Sequence, residues 1–126
     1  MKTYHPDQIP DAGEWLGTDE GLRIELVRSF HKRAGIRLPS PRLHATFHVI
    51  VENQLAMAEP IVVATLTRLQ REGLGRHDAV HAIGSVLAEH IYELLKGQPG
   101  SAGVDPNAAY GEGLKKLTAA TWQDAG

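Results

Sequence analysis

Proline and glycine cut this chain into short lengths, and the lengths between the cuts carry apolar residues at helical spacing. Pro39 with Pro41, Pro60, Gly73 with Gly75, and the run Gly97-Gln98-Pro99-Gly100 stand where a regular element stops. Leu22, Val27, Phe30 and Ala34 predict a first helix over about 18–34. Thr18 is its expected N-cap, Asp19 and Glu20 lie in its first turn, and Gly35 is its stop. Leu43, Phe47, Ile50, Val51 and Leu55 predict a second helix over about 41–58, with Pro41 in its first turn. Ile61, Val62, Leu66 and Leu69 carry a third from Pro60 to about Glu72. Val80, Ile83, Leu87, Ile91, Leu94 and Leu95 line a fourth over about 76–96. Asn107 is the expected cap of a last short helix over about 108–120. No stretch alternates apolar and polar residues as a half-buried strand does. The expected fold is all-α: a compact bundle of four main helices plus a short C-terminal helix, one domain over 1–126. Residues 1–17, rich in Pro, Gly and Asp, read as an irregular arm anchored by Trp15, and Trp122 reads as the anchor of the other tail.

Composition narrows the function classes. Thirteen basic against fifteen acidic residues give a net charge of −2, which excludes a polyanion binder working by bulk charge and offers no basic stripe for a membrane surface. The chain has no cysteine, hence no disulfide, no thiolate zinc site and no cysteine nucleophile. No apolar run approaches the roughly 18–20 residues of a membrane span, and Met1 to Asp7 contain no apolar signal core, so the expected location is the cytoplasm. Seven histidines, against three tyrosines and two phenylalanines, are the unusual feature.

The histidines are ordered. His44, His48 and Glu52 follow one another at i, i+4, i+8 on the second helix, where successive members differ by only about 40° around the axis. His77 and His81 repeat the spacing on the fourth helix, with Ser85 and Glu89 continuing the row. Two imidazoles at i, i+4 can share one metal ion. Both rows border apolar stripes, where unpaired polar groups are costly and a divalent cation satisfies several nitrogens at once. The candidate metal ligands are therefore His44, His48, Glu52, His77, His81 and Glu89. His31, aligned with Glu20 on the first helix, is a further candidate. His5 reads as exposed in the arm, His90 as surface or core edge, and Arg76 as a solvated charge at a helix end. Arg68, Arg71 and Glu72 read as the solvated face of the third helix. Ser85, on a helix with no elbow or oxyanion loop, does not read as a nucleophile. No glycine-rich phosphate loop is present, and Gly111 and Gly113 make no motif.

At these residues the chain resembles an uncharacterised group of small bacterial proteins, a domain of unknown function. Its pattern is L-H-x3-H-x3-E-Q, then H-E-A-E-H, then a glutamate eight residues past the last histidine. Here the blocks read Leu43-His44-Ala45-Thr46-Phe47-His48-Val49-Ile50-Val51-Glu52-Asn53-Gln54 and His77-Asp78-Ala79-Val80-His81, with Glu89 at the offset. Gln54 comes one position late, Asp78 replaces a glutamate, and Ser85 stands where a carboxylate is frequent. The resemblance covers about 43–95 and implies a common site but no activity. The His77-Asp78 pair also resembles the doublet of HD-type phosphohydrolases, which makes Asp78 a catalytic candidate beside Glu52.

The expected function is hydrolysis, most simply of phosphoesters, by a dinuclear centre of divalent transition metal ions such as Mn, Zn or Fe, with one or two ions per chain. Glu52 or Glu89 would bridge the ions or act as base. The expected partner is a small anionic substrate, with no nucleic acid and no membrane; a homo-oligomer is compatible with the sequence. Two alternatives stand beside this reading: a di-iron redox protein, against which the i, i+4 spacing argues, and a non-catalytic, metal-stabilised helical interaction module.

Overall fold

The computed structural model describes residues 3–35, 40–95 and 106–125. Among them are seven helices and no strand: α1 (Ala12–Leu16), α2 (Glu20–Arg33), α3 (Pro41–Ala56), α4 (Pro60–Arg71), α5 (Arg76–Leu95), α6 (Pro106–Lys116) and α7 (Ala119–Ala125). The all-α expectation holds, and the main helices start and stop within about two residues of their sequence boundaries. Part of the connector before Pro41 and the loop at 97–103 lie outside the described residues. Among the described residues no single helix is long and apolar enough to cross a membrane.

Caps explain the differences. The arm is not wholly irregular: Asp11 accepts from the Glu14 backbone N–H and starts α1. Thr18 does not cap α2, because its hydroxyl donates to the Glu14 carbonyl at 2.7 Å; Asp19 takes the cap by accepting from the Leu22 N–H. Helix α3 ends at Ala56 rather than 58. Ala58 turns the chain with φ 55°, and Pro60 opens α4. Helix α6 begins at Pro106, so Asn107 lies inside it. The expected last helix breaks in two at Leu117–Thr118, where the Glu72 carboxylate accepts from the Ala119 N–H at 2.8 Å and caps α7. Glu72 also holds Arg68, whose other nitrogen donates to the Leu114 carbonyl, so these two residues tie α4 to α6 and α7 rather than forming a merely solvated face.

Two apolar cores flank the middle of the molecule. The larger joins α3, α4, α5 and α6 through Val51, Val62, Leu69, Ile83 and Leu114. The smaller joins the arm, α1, α2 and α3 through Tyr4, Trp15, Leu26, Val27 and Val49. Trp15 is the anchor that the sequence predicts: it is fully buried, and its Nε1–H donates to Asn53 Oδ1 at 2.9 Å. Helix α3 is common to both cores and carries polar residues between them.

Candidate metal centre

Each histidine of the site owes its place to helical periodicity plus one tertiary contact. On α3, His44 and His48 project toward α2 and α5; on α5, His81 faces back. Helix α2 lies against α3 and adds His31, which is 3% exposed. His31 Nε2 lies 3.3 Å from His44 Nε2 and 3.2 Å from His81 Nε2, and the last two are 3.0 Å apart. Nitrogens bound to one tetrahedral zinc-sized ion are about 3.3–3.4 Å apart, the edge that a metal–nitrogen bond of about 2.0–2.1 Å dictates. The three nitrogens thus outline one face of such a shell. With His48 they form a group whose candidate ligand atoms all lie within 4.8 Å of one another.

The protonation pattern favours an ion. His31 Nδ1 lies 2.9 Å from the Val27 carbonyl, an acceptor only, so Nδ1 carries the proton and Nε2 presents a lone pair to the cluster. His48 Nε2 lies 2.7 Å from the Tyr4 hydroxyl, which itself donates to Glu52. Nε2–H therefore donates to the Tyr4 oxygen, and Nδ1 is left buried without a hydrogen-bond partner. Three Nε2 atoms facing one another cannot all be satisfied among themselves: whichever protons are placed, lone pair meets lone pair or N–H meets N–H. A cation removes the conflict. Burial, then the neighbouring imidazoles, hold His44 down to about 4 and His81 down to about 3. Burial pushes His48 and His77 down as well. At neutral pH these rings are uncharged and their lone pairs are free for a metal.

The other predicted ligands fall elsewhere. His77 is half-buried at the rim, its Nε2 2.9 Å from His81 Nε2, but outside the group of four. Phe30 packs edge-on against both His31 and His77. Glu52 is fully buried, yet both its oxygens receive the Arg76 guanidinium, at 2.7 and 2.8 Å, and one also receives Tyr4. That carboxylate accepts three hydrogen bonds and stands one contact behind His48. Asp78 is exposed in the first turn of α5, and Glu89 is exposed two turns beyond His81. Glu20 is exposed too. Arg76 is the opposite of a solvated helix end: it is 6% exposed, paired with Glu52, and donates to the Pro6 carbonyl at 2.8 Å. Its neighbour Asp7, from the arm, accepts from the His77 backbone N–H and caps α5.

Three contributors were therefore harder to read. Tyr4 and Arg76 carry no spacing signal, because one comes from the arm and the other from a helix start. His31 carried a signal, its place on the inner face of the first helix after Val27. His5 is exposed, as expected, with its ring against Phe30. His90 stacks on Tyr110 at the core edge.

A cleft of about 190 Å³ opens beside the cluster, lined by His44, His48 and His81 together with Phe47, Val80, Gly84, Ser85, Ala88 and Trp122. Three of the candidate ligands thus border space that a small molecule can enter. Among the described residues no carboxylate belongs to the cluster. No family model, curated protein or solved structure matches the chain, which is consistent with the resemblance to a group without assigned function.

Proposed function

We propose that the protein is a hydrolase dependent on one divalent transition metal ion, held by His31, His44, His48 and His81, and that it acts on phosphoesters. The observation that carries this reading is the convergence of three imidazole Nε2 atoms at 3.0–3.3 Å beside an open cleft. An all-imidazole set suits zinc or iron better than manganese, which favours oxygen ligands. When bound, the ion supplies Lewis acidity and two positive charges that no anionic ligand offsets, which suits a phosphoryl oxygen and an acidified water. The chain's own residues do the rest. The Val27 carbonyl fixes the His31 tautomer, and the Tyr4–Glu52–Arg76 chain fixes that of His48. His77, uncharged at neutral pH and adjacent to His81, is placed to take a proton at the rim.

The test is metal analysis of untagged protein, coupled to turnover of 4-nitrophenyl phosphate. One equivalent of zinc or iron is expected, with turnover abolished by chelator and restored by that ion. His77→Ala should keep the metal and lose most of the turnover. Uptake below about a tenth of an equivalent, after dialysis against Zn, Fe and Mn in turn, overturns the metal site.

A second reading rests on a specific observation. Four protein nitrogens suffice to close a tetrahedral shell, which is the habit of structural zinc sites. That reading predicts full metal occupancy and a raised melting temperature with no hydrolysis of any phosphoester offered.

A further inference from the structure

The geometry points to the cleft beside the histidines as the seat of an apolar, ring-sized group on the substrate, whose anionic head faces His44, His48 and His81. This rests on the hydrolase reading above and adds a substrate class to it: phosphoesters of aryl or similarly bulky apolar alcohols.

Beside the histidines the cleft is lined by Phe47, Val80, Gly84, Ala88 and Trp122. Among the described residues no charged side chain lines the space, and Ser85, whose hydroxyl donates to the Ala82 carbonyl at 2.7 Å, offers only its acceptor oxygen. A sugar or nucleotide body would leave most of its hydroxyls unpaired against such a wall, which is costly. The volume suits a ring, since apolar cavities near 150 Å³ stay dry and accept benzene.

Gly84 supplies independent support. It lies buried in the middle of α5, where glycine weakens a helix relative to alanine. No neighbour demands a glycine there: a Cβ would meet only Val51 Cγ2, at an ordinary 3.9 Å. Gly113 shows the contrast, because a Cβ there would come within 2.9 Å of Val86 Cγ1, so close helix packing explains that glycine. Gly84 lines the cleft, and close packing does not explain its missing methyl as it does that of Gly113.

The test uses inert phosphonates on the zinc-loaded protein, followed by calorimetry. Phenylphosphonate should bind about tenfold or more tighter than methylphosphonate, because only the former buries a ring. Ala88→Leu, and more mildly Gly84→Ala, should shrink that preference while zinc stays bound. Equal affinity for the two phosphonates, or a preference that survives both variants, overturns the inference and leaves the metal reading standing. A metal-free arm separates the two failures. Iodobenzene should quench Trp122 fluorescence over the constant signal of fully buried Trp15, and Ala88→Leu should reduce the quenching. Absence of quenching in the wild type overturns the apolar seat whatever the ion does.

Discussion

Two polar clusters lie inside this bundle, and they solve burial differently. Around Glu52, opposite charges meet: Arg76 forks onto both carboxylate oxygens, Tyr4 adds a donor, and the Pro6 carbonyl takes a further guanidinium N–H. Only Arg76 Nε is left without a partner. Around His81, like meets like: the imidazoles of His31, His44 and His81 and of the rim residue His77 turn nitrogens toward one another at about 3 Å. Save for that one nitrogen, the first cluster pairs its charges from within the chain and holds the arm to α3 and α5. The second cannot satisfy its nitrogens from within and could hold a cation. The comparison separates a buried network that stabilises from one that binds, using donor and acceptor inventory alone.

The largest expected effect breaks the charge-paired cluster. Glu52→Ala strands the Arg76 guanidinium in the interior, and losing one partner of a buried pair costs about 3–5 kcal/mol. Denaturant melts of the metal-free protein should show that loss, whereas His81→Ala under the same conditions should cost far less, since it relieves crowded nitrogens. Equal losses would erase the distinction drawn here.

With metal present the ranking inverts. His31→Ala, His44→Ala and His81→Ala should each abolish stoichiometric zinc uptake, measured by elemental analysis, while His5→Ala and Glu89→Gln should match the wild type. Zinc should also raise the wild-type melting temperature, by a roughly constant step for each tenfold rise in free concentration above Kd, if it binds the folded chain in preference to the unfolded one.

Tyr4→Phe joins the two clusters in one test. It removes the hydroxyl between His48 and Glu52 and leaves the ring packed against Trp15. Zinc affinity should fall about 10- to 100-fold, the usual cost of losing a group that orients a ligand. An unchanged affinity would show that His48 needs no such orientation.

A pH dependence probes the histidine cluster alone. His44 and His81 sit near 4 and 3 in the folded chain, against about 6.5 when unfolded. Between those values the unfolded state binds more protons, so metal-free stability should fall as pH drops below about 6.5 and flatten toward 3. Above 6.5 both states are neutral and the effect vanishes. Zinc should be released over the same acid range, and a metal-free melt flat from pH 7 to 4 would contradict the buried, neutral histidines.

Much of this was legible along the chain. Helical spacing between proline and glycine breaks placed the main helices, and the doubled i, i+4 histidines put His44, His48, His77 and His81 on inward faces. Glu52 was legible as buried but not in its role, because spacing reports the face of a helix and not the partner that waits there. Glu89 keeps the fourfold rhythm of its row, yet the row drifts around the helix by about 40° at each step, and two steps past His81 it has turned into solvent.

What the sequence determined by itself is therefore local: helices, their breaks, and the rows of imidazole, all of which follow from periodicity within one segment. Which nitrogens share a point in space was decided only by the packing of α2 and α5 on α3. That packing brought His31 in, took Glu52 out by giving it Arg76, and recruited Tyr4 from the arm. The physical reason is that a donor or acceptor is satisfied by whatever lies within about 3 Å of it, and contacts 24 to 50 residues apart in the chain leave no mark in the spacing of either partner.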